Sequence, residues 1–242
     1  MIRLLYVLLC GALAGAGTSC SRNGENVEIP PPVPTVTDST GATVSYLALG
    51  DSYTIGQGVG ADERFPLLLA RGLRDSSLRV GEPRYVARTG WTTNDLMTAI
   101  NAETDLARSY GVVTLLVGVN DQYQGRDTAS YRTGFTALLE RAIALAGDRR
   151  NRVFVLSIPD YSATPFVAPA DKDRVRRAID QFNAINRRIT ADYGVSYTDI
   201  TPLSRNAATD PGLLASDGLH YSARAHAQWA ALLAPKIAAA LR

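Results

Sequence analysis

Val112-Val113-Thr114-Leu115-Leu116-Val117-Gly118-Val119-Asn120-Asp121 is the stretch that decides the fold. Val112–Val117 is an apolar run broken only by Thr114, without the alternation of a half-exposed strand. Such a run, closed by a glycine, predicts a strand covered on both faces. Val153–Ile158 is a second run of this kind. Between them, Tyr131, Phe135, Leu138, Leu139, Ala142 and Leu145 recur at helical spacing. The same spacing returns in Val175, Ala178, Ile179, Phe182, Ile185, Ile189 and Tyr193. Further out, Val44–Leu49, Arg84–Ala87 and Val195–Thr198 read as strands, and a last helix runs from about Ser222 to Leu241. Strands alternating with helices predict an α/β domain: a parallel sheet with helices on both faces. Reactive groups in such sheets gather at the carboxyl ends of the strands, so each strand-end motif is a candidate for chemistry.

The first strand runs into Leu49-Gly50-Asp51-Ser52-Tyr53-Thr54. Ser52 stands at the strand end, either as a helix cap or as a nucleophile. In Gly118-Val119-Asn120-Asp121, Asn120 either closes an Asx turn or aims its amide into the same crevice. Ser216-Asp217-Gly218-Leu219-His220 puts a carboxylate three residues before an imidazole. Asp217 there can accept from Nδ1–H and leave Nε2 as a base. The chain has 2 histidines. His226 falls inside the amphipathic last helix and reads as structural or exposed, which leaves His220 as the base. Ser52, Asp217 and His220 thus form a candidate nucleophilic triad.

These residues resemble the SGNH (GDSL-type) hydrolases, an esterase and lipase-like family. The resemblance rests on four blocks in order: Gly50-Asp51-Ser52, Gly90, Gly118-Val119-Asn120-Asp121 and Asp217-Gly218-Leu219-His220. It implies a flavodoxin-like three-layer α/β/α sandwich with about five parallel strands and Ser52 as nucleophile. It also implies oxyanion donors from the backbone N–H groups of Ser52 and Gly90 and the Asn120 side chain. Gly90 follows Ala87-Arg88-Thr89, where many members carry an Asn. No Gly-x-Ser-x-Gly elbow occurs, which counts against the α/β-hydrolase fold. The reading is a serine esterase or deacylase, without cofactor or metal, expected to act as a monomer. Its expected substrate is a small acyl ester or an acetylated glycan. The alternatives are a catalytically idle glycan- or envelope-binding lipoprotein on the same fold and a purely structural surface lipoprotein.

Other segments carry weaker expectations. Gly56-Gln57-Gly58-Val59-Gly60 reads as a flexible loop lining the site, since Asp51 would repel phosphate. The turn-rich Ile158-Pro159-Asp160-Tyr161-Ser162-Ala163-Thr164-Pro165-Phe166 reads either as a wall of the acyl or leaving-group pocket or as an ordinary surface loop. Trp91 either walls the site or packs on it, and Arg88 reads as a surface ion pair.

Composition bounds the rest. The 242 residues are 46% hydrophobic and 20% charged, enough for a core that needs no disulfide or metal staple. The net charge of +2 comes from 25 basic and 23 acidic residues spread along the chain, so nucleic acid is not an expected partner. Arg3 followed by an apolar run from Leu4 to Ala16 reads as an export signal over residues 1–20, too short to span a bilayer. Gly17-Thr18-Ser19-Cys20 resembles a bacterial lipobox, with Gly17 where Leu is usual. Cleavage there would leave Cys20 open to lipidation and the domain anchored to a membrane of the cell envelope. Residues 21–43, with Ile29-Pro30-Pro31-Pro32-Val33-Pro34, read as a semi-rigid tether before a hydrolase domain at 44–242.

Overall fold

A computed structural model describes residues 43–75 and 78–242. The export segment, Cys20 and all of the tether but Thr43 lie outside the described residues.

Five strands form one all-parallel sheet: β1 (Val44–Gly50), β2 (Val80–Ala87), β3 (Val112–Leu116), β4 (Val153–Leu156) and β5 (Ser196–Thr198), in the order β2-β1-β3-β4-β5. Every residue of β3 and β4 is buried, as runs without polar alternation require. The chain first crosses from β1 to β2 through α2 (Phe65–Asp75). It then reverses direction. α3 (Thr93–Ala102) leads to β3, α5 (Thr128–Leu145) to β4 and α6 (Lys172–Asp192) to β5. Right-handed crossovers put helices on opposite faces when the direction of travel reverses. Accordingly α2 packs with the final helix α8 (Ala223–Leu241), while α3 meets α5 and α5 meets α6. The result is the three-layer α/β/α sandwich, with the flavodoxin-like strand order. Trp229, Tyr46, Tyr131, Phe65, Phe135 and Phe154 are among its largest fully buried side chains.

All five strands differ from the sequence reading at an end: β1 runs on to Gly50, β3 stops at Leu116, β4 stops at Leu156, and β2 differs most. β2 begins at Val80, four residues before the expected Arg84, and contains Gly81 and Pro83. It pairs only with β1, so it is an edge where a missing proline N–H is tolerated. Its register slips between Val44↔Val80 and Tyr46↔Pro83. That irregularity at Gly81 and Pro83 hides the strand from pattern reading. β5 is reduced to Ser196–Thr198 at the other edge.

The reversal places β1 and β3 side by side with their helices on opposite faces, opening a crevice at their carboxyl ends. Gly50 and Leu116 are register partners there. A Cβ on Gly50 would lie 2.4 Å from the Leu116 carbonyl oxygen and 2.1 Å from Thr54 Oγ1. Glycine is therefore required by close approach of the two strand ends.

Candidate active site

Four short segments converge on this crevice. After β1, the turn α1 (Ser52–Ile55) begins immediately. Its N-cap is Asp51, whose Oδ1 accepts from the Tyr53 N–H at 3.0 Å. Ser52 is therefore not the cap. It is the first residue of the turn, 4% exposed, and its own N–H has no protein partner among the described residues. Asp51 is fully buried and its Oδ2 has no hydrogen-bond partner among the described residues. Burial pushes its carboxyl up to about 7, with the neighbouring Asp121 adding to the rise and the Tyr53 N–H opposing it.

After β3, α4 (Val119–Tyr123) carries Asn120 and Asp121. Asn120 Nδ2 donates to the Trp91 carbonyl at 2.9 Å. A carboxamide has two N–H groups, so the second remains for the cleft. The Gln122 N–H, which an Asx turn would direct to Asn120 Oδ1, goes to the Gly118 carbonyl at 3.2 Å, so no Asx turn forms. Asp121 is buried and accepts from the Thr93 N–H at 2.9 Å and from Thr93 Oγ1 at 2.7 Å. Asn120 and Asp121 together clamp the loop after β2, and Thr92 caps α3 in a reciprocal box with Asp95. Gly90 sits at the tip of that loop with φ +86°, and a Cβ there would meet open space. Its backbone conformation, and not crowding, demands glycine.

Before α8, residues 214–221 fold back on themselves. Leu214 bridges Tyr221, and the Ala215 N–H donates to the His220 carbonyl at 2.8 Å. Asp217 divides its carboxylate. Oδ1 accepts from the Leu219 and His220 N–H groups at 3.0 and 2.9 Å, and Oδ2 lies 2.6 Å from His220 Nδ1. Burial alone would raise this carboxyl, but the His220 hydrogen bond and the two backbone donors outweigh it and hold it below the ordinary carboxylate range. An ionised Asp217 only accepts, so Nδ1 of His220 carries the hydrogen and Nε2 of the neutral ring holds the lone pair.

Ser52, Gly90, Asn120 and His220 line one cleft of about 170 Å³, together with Tyr53, Thr89, Val119, Tyr123, Tyr161, Phe166 and Leu219. Asp217 stands behind His220 and does not line it. The Ser52 hydroxyl and the His220 ring share the cleft without a hydrogen bond between them. The Tyr53 ring meets His220 edge-on at 5.8 Å.

Other expectations change. The loop at Gly56–Gly60 is not among the lining residues. It braces the histidine loop instead: a Cβ on Gly58 would lie 2.7 Å from Ala215 Cβ, and Gln57 Oε1 accepts from Thr89 Oγ1 at 2.8 Å. Trp91 packs against the core and contributes only its carbonyl to Asn120. Of the turn-rich 158–166 segment, Tyr161 and Phe166 do line the cleft. Asp160 is buried beneath them, paired with Arg205 Nε at 2.7 Å and capping the Ser162 N–H. His226 is structural: it is 1% exposed, and Nδ1 accepts from the Phe65 N–H at 3.1 Å. Burial pushes this imidazole down to about 3.

A serine hydroxyl, an oriented imidazole and unpartnered N–H groups around one small cleft are the parts that acyl-transfer chemistry calls for. The GDSL-like Lipase/Acylhydrolase family matches residues 48–228, and the chain belongs to that family. Among solved structures it is similar to the lipase Lip_vut3 from a goat rumen metagenome, at 20% identity and TM-score 0.66, covering 80% of this chain and 97% of that one. It is also similar to the psychrotrophic esterase EstA from Pseudoalteromonas sp., at 18% identity and TM-score 0.62, covering 80% and 96%. A mutant of the acetyl-xylooligosaccharide esterase Axe2 from Geobacillus gives 19% identity and TM-score 0.61, covering 80% and 94%. At these identities the likeness is one of fold. Comparison with curated proteins finds no match. Family membership supports ester hydrolysis as the general activity.

Proposed function

We propose that the protein is a serine esterase that cleaves carboxylic esters through an acyl-enzyme on Ser52. Ser52 Oγ attacks the ester carbonyl carbon, and its proton passes to His220 Nε2. The oxyanion that forms is met by the N–H groups of Ser52 and Gly90 and by the free N–H of Asn120. Collapse of the tetrahedral intermediate breaks the bond to the alcohol oxygen, which takes the proton back from His220. Water then repeats the sequence on the acyl-enzyme, giving its proton to His220, and releases the carboxylic acid with Ser52 restored. Asp217 keeps the ring in one tautomer and stabilises the imidazolium.

The observation that carries this reading is the divided carboxylate of Asp217, anchored by two backbone donors while Oδ2 engages His220 Nδ1 at 2.6 Å. A cleft of about 170 Å³ is below the roughly 300–1,000 Å³ of drug-sized ligand sites and favours short acyl groups. The test is Ser52→Ala against a short-chain ester such as ethyl acetate. Turnover should fall by about three powers of ten or more with the fold unchanged, and a phosphonate should add its mass to the wild type and not to the variant. Near-normal turnover in the variant would refute the assignment.

The same proposal extends to location. Cleavage before Cys20 and lipidation there would anchor the hydrolase to a membrane of the cell envelope, with residues 21–43 as tether. The support is the Arg3 and Leu4–Ala16 pattern followed by Gly17-Thr18-Ser19-Cys20. The mass of the mature N-terminus decides it, because an unmodified start at any other residue removes the lipid anchor while leaving the esterase assignment intact.

A further inference from the structure

Tyr123 and Phe166 are 60% and 50% exposed, and they stand together at the lip of the cleft. Their ring centroids are 6.2 Å apart. Tyr161 meets Tyr123 edge-on at 6.2 Å and is fixed by its hydroxyl, which donates to Gln122 Oε1 at 2.8 Å. These three rings are also the wall of an adjoining cavity of about 440 Å³, whose other sides combine the polar Gln122, Asp171 and Arg174 with the aliphatic Val167, Ala168 and Val175. Clustered exposed aromatic surface in a concave, polar-rimmed place marks a binding site.

The lining decides between ligand classes. An alkyl chain could lie against Val167, Ala168 and Val175, but it would also desolvate a carboxamide, a carboxylate and a guanidinium without replacing their hydrogen bonds, which is unfavourable. A phosphate head group would need an unpaired cation, and Arg174 is committed to Asp171 through Nε at 3.2 Å and Nη2 at 3.0 Å. A neutral sugar ring has a C–H face suited to flat aromatic rings and a rim of hydroxyls suited to the amide and the ion pair. The position also matters. A Cβ on Gly218 would lie 3.4 Å from Pro165 Cγ, so Phe166 borders the loop that carries His220. The imidazole protonates the departing alcohol, which puts the alcohol part of the ester on that side.

We propose that the cavity beyond Tyr123, Tyr161 and Phe166 is a leaving-group subsite for the neutral sugar of an acylated glycan, with Tyr123 and Phe166 as its stacking platform. This rests on the ester-hydrolase reading of Ser52. The test compares the wild type with the Tyr123→Ala/Phe166→Ala double variant on acetylated xylo-oligosaccharide, ethyl acetate and ethyl octanoate. Binding of deacetylated xylo-oligosaccharide is measured separately by calorimetry. The double variant should lower the kcat/KM ratio of sugar ester to ethyl acetate by about tenfold or more, chiefly through KM, since one aromatic contact is worth up to roughly a factor of ten. Tyr123→Leu and Phe166→Leu, which keep apolar bulk without a flat face, should move the ratio the same way. An unchanged ratio in an active enzyme overturns the subsite and leaves the esterase intact. A loss confined to ethyl octanoate overturns it too, because the platform would then hold an acyl chain. If the wild type cleaves none of the esters, the esterase reading fails on its own. Calorimetry then decides the subsite: sugar binding abolished by the double variant supports it, and no binding to the wild type overturns it.

Discussion

Asn120 shows how one side chain can serve two structures at once. One amide N–H is spent on the Trp91 carbonyl, which ties α4 to the loop bearing Gly90. The other is free for the oxyanion that the proposed chemistry creates. Asn120→Ala should therefore lower kcat by about 10²–10³ with a smaller change in KM, as loss of an oxyanion donor does. Steady-state kinetics on a short ester checks this, and a pure KM effect would put Asn120 in ground-state binding instead. Ser52, Asp217, His220 and Asn120 could be singled out in the sequence because each lies within a few residues of the glycine or acid that shapes its turn, whereas Gly90 stood out only through the family resemblance. Asp217 and His220 are three positions apart, so one turn of chain suffices for their contact. Tyr123 gave no such signal, and Tyr161 and Phe166 were visible only as part of a turn-rich segment that left pocket wall and surface loop equally open. The three come from two segments far apart in sequence, and only the fold joins α4 to the loop after β4. The burial of Asp51 and Asp121 was equally hidden, since an acid at a strand end looks the same in sequence whether exposed or buried.

At the scale of elements, β1 and β3 carry the site because their ends touch. Their legibility came from burial on both faces, which forces largely apolar runs such as Val112–Val117, broken only by Thr114. β2 lacked that signal, because an edge strand tolerates Gly81 and Pro83. The contact of β1 with β3 through Gly50 predicts a steep cost for any side chain. Gly50→Ala would put a methyl 2.4 Å from a backbone oxygen that cannot rotate away. Overpacking of this kind costs about 1–3 kcal/mol, and the backbone obstacle puts this case at the upper end. Urea unfolding should show that loss, and turnover should fall with it, because Ser52 begins two residues further on. The loop after β4 depends on a different device. Buried Asp160 is neutralised by Arg205 and by the more distant Arg176, 3.9 Å away. Arg205→Ala should cost about 2 kcal/mol, less than a fully buried pair because the guanidinium is 31% exposed. Chemical denaturation measures it, and an unchanged midpoint would show that Arg176 alone suffices.

Across the whole molecule, two buried titratable groups, Asp51 and His226, pull stability in opposite directions with pH. Asp51 ionises at about 7 in the folded chain, raised by burial from an ordinary 3.8, with Asp121 as its nearest like charge. Its contribution is fully present below about 3.8 and is lost as pH rises through 7, because the folded state holds the proton that the unfolded chain releases. His226 is held down at about 3 from an ordinary 6.5 by burial, with His220 and Arg64 as the neighbouring charges. Its contribution is present above about 6.5 and is lost as pH falls toward 3, because only the unfolded chain takes the proton. Between about pH 4 and 6.5 the two effects oppose each other, each with a slope of about 1.4 kcal/mol per pH unit. His226→Asn keeps an acceptor for the Phe65 N–H but removes the titration. Its unfolding free energy should therefore fall more steeply with rising pH than that of the wild type, by about that slope. Asp51→Asn keeps the acceptor for the Tyr53 N–H and should deviate by a similar slope in the other direction. The double variant should run parallel to the wild type, offset by whatever the two substitutions cost in packing. Urea titrations at several pH values across this window decide the matter, and single-variant curves parallel to the wild type would mean that neither group changes its proton occupancy on unfolding.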